Sequence, residues 1–158
     1  MNKIFEDFVS KWVSTYHGNP VPESEESLTQ LENIFNCILP KSYIDFITTV
    51  GSVWTPDILD SVVDQESDLN SLQDIYSVEE AIDATNSWQG AGMAKNLFAF
   101  ANDSMGNKFC FDIKQCVSPR CTDLPVYFFD HDFDTTEEVA SSFMEFLESY
   151  VALQKTAG

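Results

Sequence analysis

The stretch Leu97-Phe98-Ala99-Phe100-Ala101-Asn102-Asp103-Ser104-Met105-Gly106-Asn107-Lys108-Phe109-Cys110-Phe111-Asp112-Ile113 decides the fold. Its first five residues are apolar on both faces, the pattern of a strand buried on two sides. Asn102 to Asn107 is a turn, in which Gly106 supplies a positive φ at no steric cost. Lys108 to Ile113 then alternates and puts Phe109, Phe111 and Ile113 on one face. The two runs read as a β-hairpin with a longer loop. Downstream, Pro125-Val126-Tyr127-Phe128-Phe129 is a third strand, ending at Asp130-His131-Asp132. Beyond it, Thr135-Thr136-Glu137-Glu138 offers a capping box, Thr135 with Glu138. Val139, Phe143, Phe146, Leu147 and Tyr150 recur at helical spacing, so a last helix is expected behind that cap. The tail from Lys155 to Gly158 is expected to fray.

Upstream of the hairpin the pattern is helical. Ile4, Phe5, Phe8, Val9, Trp12, Val13 and Tyr16 line one face of a first helix, which His17-Gly18-Asn19-Pro20 ends. Ser24 and a cluster of Glu open a second, with Leu28, Leu31, Ile34, Phe35 and Ile38 apolar. Pro40 suits the first turn of a third, Lys41 to Val50, which Gly51 closes. Val53-Trp54 reads as a short strand, and Asp57 to Asp68 as a short helix or a surface excursion. Ser77 and Glu80 form a capping box for a helix from Val78 to about Trp88. Helices first, an antiparallel sheet in the middle and a helix last define the class. The chain is expected to be one α+β domain over 1–158, a single antiparallel sheet packed against N-terminal helices and a C-terminal helix.

A chain of 158 residues buries roughly two-thirds of its unfolded surface, enough for an independent core. Hydrophobic residues make up 44%, with 13 Phe, which excludes disorder. No apolar run approaches the ~20 residues of a membrane span. The opening Met1-Asn2-Lys3-Ile4-Phe5-Glu6-Asp7 carries acids where a secretion signal needs a basic and then an apolar region. A cytoplasmic protein with reduced thiols is expected, although Cys116 and Cys121 flank a loop and could pair if oxidised. Cys37 lies among apolar residues and reads as buried.

Charge is the unusual quantity: 26 Asp and Glu against 8 Lys and Arg give −18. A field of that sign repels nucleic acid and anionic membranes, which argues against direct binding of either and favours a cationic partner. The acids are unevenly placed. From Ser42 to Ala94 there are ten and no basic residue; from Cys121 to Gln154 there are eight and again none. Between them lies a basic island of Lys95, Lys108, Lys114 and Arg120.

No constellation carries catalytic chemistry. Asp130-His131-Asp132-Phe133-Asp134-Thr135 starts like a calcium loop, but Thr135 and Ser141 stand where that loop needs Gly and Glu. Asp132-x-Asp134-x-Thr136 matches the aspartate-nucleophile motif of haloacid-dehalogenase-like phosphatases only out of register with its strand. An acidic strand-to-helix connection that caps the following helix is the favoured reading. There is no G-x-S-x-G, no G-x-G-x-x-G, no phosphate loop and no C-x-x-C, and only His17 and His131 are available for acid–base work. His17 reads as helix-end chemistry and His131 as a solvated residue. Trp54 and Trp88 adjoin acidic segments, and packing is their favoured reading. No enzyme activity, cofactor or metal is expected.

Three stretches carry a family resemblance. Ile38-Leu39-Pro40-Lys41-Ser42-Tyr43-Ile44-Asp45-Phe46-Ile47, followed by Val50-Gly51, looks like an LP-x-x-[YF]-x-x-[FL] helix ending in glycine. Phe98 to Asp103, through Gly106-Asn107 to Phe111-Asp112, is similar to a strand, acidic glycine turn and strand. Val126-Tyr127-Phe128-Phe129-Asp130-His131, leading to Ser142-Phe143-Met144-Glu145-Phe146-Leu147, looks like a strand with a trailing acid–His and then an sF-x-x-[FW]-L helix. In this order, over about residues 24–150, they resemble the SUKH superfamily, which includes the SMI/KNR-like fungal cell-wall regulators and many bacterial immunity proteins. Asn102 and Asn107 depart from the pattern, as does the long acidic stretch from Asp57 to Asp74.

The resemblance implies an immunity protein that binds and neutralises a cognate toxin domain, often a nuclease. The alternative is a non-enzymatic regulatory scaffold of the SMI/KNR type. Charge alone says only that the target is cationic; a nuclease, whose cleft must hold a polyanion, meets that condition. The candidate partner-binding residues are Asp57, Asp60, Asp64, Glu66 and Asp68, five acids in twelve residues, with Asp130, Asp132 and Asp134 at the strand end.

Overall fold

A computed structural model describes residues 1–118 and 121–156. Along the chain these form α1 (Lys3–Trp12), α2 (Glu25–Phe35), α3 (Lys41–Thr49), β1 (Val53–Trp54), α4 (Ile58–Asp64), β2 (Leu72–Ile75) and α5 (Val78–Gly90). There follow β3 (Leu97–Asp103), β4 (Lys108–Asp112), a 3-10 turn (Ile113–Gln115), β5 (Val126–Asp130), β6 (Thr135–Ala140) and α6 (Phe143–Ala152). The strands make one antiparallel meander in the order β1-β2-β3-β4-β5-β6. The expected α+β class, with its single antiparallel sheet between N-terminal helices and a C-terminal helix, is what the chain adopts.

The start signals hold. Ser24 accepts from the Ser27 amide to cap α2, and Ser77 and Glu80 close a reciprocal capping box at α5. Pro40 precedes α3 and Gly51 follows it at φ +101°. A Cβ on Gly51 would lie 2.2 Å from the Val21 carbonyl oxygen, so both conformation and space require glycine there.

One face of the sheet carries Phe98, Phe100, Phe109, Phe111 and Phe128 against Phe8, Trp12, Tyr43, Phe46, Phe143, Phe146 and Leu147 of α1, α3 and α6. Phe143, Phe146 and Leu147 are buried as expected, at 0%, 2% and 0% exposure. Tyr43 sits among Phe98, Phe100, Phe111 and Phe143, with ring centroids 5.5–6.2 Å away. Its hydroxyl is buried and finds no hydrogen-bond partner among the described residues, and burial drives its pKa upward. An orphaned buried hydroxyl costs on the order of 1 kcal/mol or more. Tyr43→Phe is therefore expected to raise stability by about 1 kcal/mol, read as a higher urea midpoint at unchanged slope. The opposite sheet face carries a smaller cluster of Leu97, Ala99, Cys110 and Phe129 with Met93, covered by Ala84 and Trp88 of α5.

Several expectations are corrected. The segment from Thr135 to Ala140 is a strand, not the first turns of the last helix. Thr135, Thr136 and Val139 are β-branched, and pairing with β5 satisfies backbone groups that a helix would leave open on that edge. The acidic connection is thus a strand-to-strand hairpin turn. The true N-cap is Ser142, which accepts from the Glu145 amide at 3.0 Å. Asp123 adds a second cap by accepting from Phe143 N at 2.8 Å and Met144 N at 3.3 Å. Strand β2 was not foreseen. Helix α1 stops at Trp12 rather than running to Tyr16, because Ser14 N turns away to donate to the Trp54 carbonyl at 2.9 Å. Cys37 is only half-buried, and desolvation pushes its thiol up to about 11. Cys116 and Cys121 form a disulfide, against the expectation of reduced thiols; their Cα atoms stand 5.5 Å apart, within reach of a bond.

The tail is also held where fraying was expected. Thr156 N donates to Ser61 Oγ, and Gln65 donates to the Gln154 carbonyl. Lys155 Nζ donates to the Lys11 carbonyl and lies over the Trp12 ring. Ala157 and Gly158, which the same expectation covered, lie outside the described residues.

Candidate functional site

In an antiparallel meander, alternate connections share an end of the sheet. One end therefore gathers the chain leaving β1, the chain entering β2, the β3–β4 turn and the β5–β6 turn. The Asp57–Asp68 segment joins β1 to β2, and Asp130–Asp134 is the β5–β6 turn, so both nominated acidic segments lie at that end. The β3–β4 turn bridges them by hydrogen bonds. On one side Ser104 N donates to the Ser71 carbonyl at 3.0 Å. On the other, His131 N donates to Asn107 Oδ1 at 3.1 Å. The bridge is itself rigid, since Asp103 Oδ1 accepts from Met105 N at 2.9 Å and from Asn107 N at 2.8 Å.

The eight nominated carboxylates are not equivalent. Asp57, at the N-cap of α4, and Asp60 and Asp64 within it fall at i, i+3 and i+7 and stay exposed while Ile58 and Ser61 turn inward. Glu66, at φ 50°, and Asp68 continue the exposed acidic run. Asp60, Asp64, Glu66 and Asp68 have no ion pair among the described residues. Asp57 does: Lys155 Nζ stands 3.4 Å from Asp57 Oδ2. The acidic segment without a basic neighbour in sequence thus has one in space. Asp130 is half-buried and shapes its own turn, with Oδ1 accepting from Asp132 N and Phe133 N. Asp132 and Asp134 are exposed, and Asp134 takes the left-handed conformation, φ 53°, that reverses the chain.

Sequence reading missed the apolar companions of these acids. Phe133 at the β5–β6 tip is 78% exposed and Met105 at the adjacent β3–β4 tip is 71% exposed. Leu59 and Val63 are exposed on α4. The signal is present in Phe133, an aromatic between two aspartates in a turn. Also missed was Glu137, placed in a helix by sequence. It lies on edge strand β6 and lines, with Asp68, Asn70, Val139, Phe146 and Tyr150, a groove of about 470 Å³.

The basic island is split: Lys95 and Lys114 are exposed and line one groove with Cys37 and Val117, while Lys108 is turned inward. Lys108 is buried, its Nζ donating to Tyr76 OH at 2.8 Å and lying over the Tyr76 and Trp88 rings. Desolvation lowers its pKa. Lys95 Nζ donates to the Gln89 carbonyl, and Arg120 lies outside the described residues. His17 does not end a helix; its ring lies against Trp54, centroids 4.8 Å apart. His131 is not a free solvated residue, since its ring packs against Trp88 at 5.3 Å.

Among the described residues no three His, Cys, Asp or Glu side chains gather as a metal site would require. No helix among them is long and apolar enough to cross a membrane. What this end of the sheet offers chemically is a rim of carboxylates around exposed apolar tips, set on rigid hairpins. Such an arrangement suits contact with a cationic macromolecule.

No curated protein matches the chain. The family model of the SMI1 / KNR4 family (SUKH-1) matches residues 22–149, a span that runs from the segment before α2 into α6 and takes in all six strands. The chain belongs to the SMI1 / KNR4 (SUKH-1) family.

Proposed function

We propose that the chain is a cytoplasmic immunity protein, a non-catalytic inhibitor that binds and neutralises a cationic toxin domain of the nuclease type. Family membership supports a protein-binding role of this kind. What supports a cationic target is the exposure of Asp60, Asp64, Glu66, Asp68, Asp132 and Asp134 on two connections that the strand order puts at the same end of the sheet, in a chain of net charge −18. Six like charges at one end repel one another in the free protein, and an approaching basic cleft relieves that repulsion. In this reading Phe133 and Met105 supply the apolar anchors that charge alone does not, since Phe and Met are both enriched at the cores of protein interfaces. The carboxylates steer the encounter and the tips hold it.

The test is co-expression with the C-terminal domain of the adjacent gene's product. Growth restored by this chain, with both proteins retained in one complex on gel filtration, is the expected result. Growth arrest despite soluble expression of the chain contradicts the immunity reading and favours the regulatory scaffold.

A further inference from the structure

A second site is a cleft of about 240 Å³ between residues 14–21 and strands β1 and β2, with a lining of its own. Its walls are His17 and Trp54; its carboxylates are Asp74 and Glu80; none of the eight nominated acids lines it. We propose that this cleft is a socket for one arginine side chain of the protein partner. The socket rests on the proposed reading that the partner is a cationic protein, and it adds where a single residue of that partner is read.

The geometry is set by strand register. Trp54 of β1 pairs directly with Asp74 of β2, so indole and carboxylate project from the same sheet face. Glu80 comes from the first turn of α5, where its carboxylate already accepts from the Ser77 amide at 3.2 Å, leaving its other oxygen. The His17 ring packs on Trp54, centroids 4.8 Å apart at a 40° tilt, so both rings line the cleft with the carboxylates. A guanidinium is planar, stacks on aromatic faces and forks to carboxylates, so it uses both the wall and the acids; an ammonium uses mainly the acids.

The free protein is worse off for holding these groups. Asp74 is half-buried, and neither it nor Glu80 has an ion pair among the described residues. The groups around Asp74 are Glu80, Asn102, Tyr76 and Lys108, with His17 lining the same cleft, and Lys108 donates to the Tyr76 hydroxyl. Burial first, then the charge of Glu80, raises the Asp74 pKa, while Asn102 and Lys108 pull it down. A folded-state pKa above the unfolded value means the neutral carboxyl favours folding at low pH, and that contribution is lost as pH rises past it. At neutral pH ionised Asp74 is thus a cost to the free fold, and one that an entering cation removes. Asp74→Asn should raise the melting temperature at pH 7, with the gain fading in acid where Asp74 is protonated.

The experiment titrates the full-length chain with N-acetyl-arginine methylamide, following the Trp54 indole N–H by NMR. The uncharged, shape-matched N-acetyl-citrulline methylamide is the control. Saturable movement of the Trp54 signal with the arginine compound only is expected. The affinity should fall at least tenfold in Asp74→Asn although that variant is the more stable one. Equal movement with citrulline, an unmoved Trp54, or unchanged affinity in Asp74→Asn would overturn the socket. Growth rescue that persists in Asp74→Asn with no arginine response in the cleft removes the socket and leaves the immunity reading standing. An arginine-filled socket in a chain that never rescues growth supports the socket and removes that reading.

Discussion

Replacing Phe143 with alanine is expected to cost about 3–5 kcal/mol, the range for truncating a fully buried phenylalanine. Phe143 is the first residue of α6 and has no exposed surface. Its ring meets Tyr43, Phe46, Phe100 and Phe111 at centroid distances of 5.6–6.0 Å, so one side chain joins α3, β3, β4 and α6. Its backbone amide is fixed by Asp123, which prevents the helix end from sliding in to fill the space. Little collapse is possible, and the loss should sit at the upper part of that range. Native domains are stable by only about 5–15 kcal/mol, so the variant should unfold at a much lower urea concentration. A loss below about 1 kcal/mol would mean that this aromatic cluster does not join helix to sheet.

Neutralising Asp57, Asp60, Asp64, Glu66 and Asp68 together, as Asn or Gln, is expected to slow association with the proposed toxin partner by about tenfold or more at low salt. Dissociation should change less, because these side chains are exposed and act mainly through the long-range field. Within the set, Asp57 should contribute least, since Lys155 already offsets part of its charge. The fold should tolerate the change: Ile58 and Ser61, not these acids, face inward on α4. Stopped-flow rates for the native and substituted chains separate the two effects. Equal association rates would remove this segment from the binding surface.

Which parts of this account the sequence shows depends on how locally each is encoded. Caps are local, so Ser24, Ser77 with Glu80, and Gly51 marked their elements correctly. The central hairpin was legible because Phe98, Phe100, Phe109 and Phe111 must be buried whatever surrounds them. The short and edge strands were not. β2 has only Leu72-Gln73-Asp74-Ile75, and its identity comes from pairing with β1 and β3. β6 carries exposed Glu137 and Glu138, which mimic a helix first turn, and only the open edge of β5 makes it a strand. The candidate surface was legible as residues but not as a place. Strand order brings the Asp57–Asp68 segment and the Asp130–Asp134 turn to one end, and no spacing in the chain records that order. The same holds for Lys155 beside Asp57, and for His17 and Trp54 facing Asp74, which tertiary packing alone decides.

The central proposal is that a cationic protein is captured through carboxylates, and its most direct test is the ionic-strength dependence of the association rate between the native chain and the purified domain proposed as its partner. The Debye length shrinks from about 30 Å at 0.01 M to about 8 Å at 0.15 M, which screens an exposed acidic surface from an approaching cation. The rate constant should fall by more than tenfold over that interval while the dissociation rate stays within a few-fold. An association rate that does not change with salt would contradict the claim.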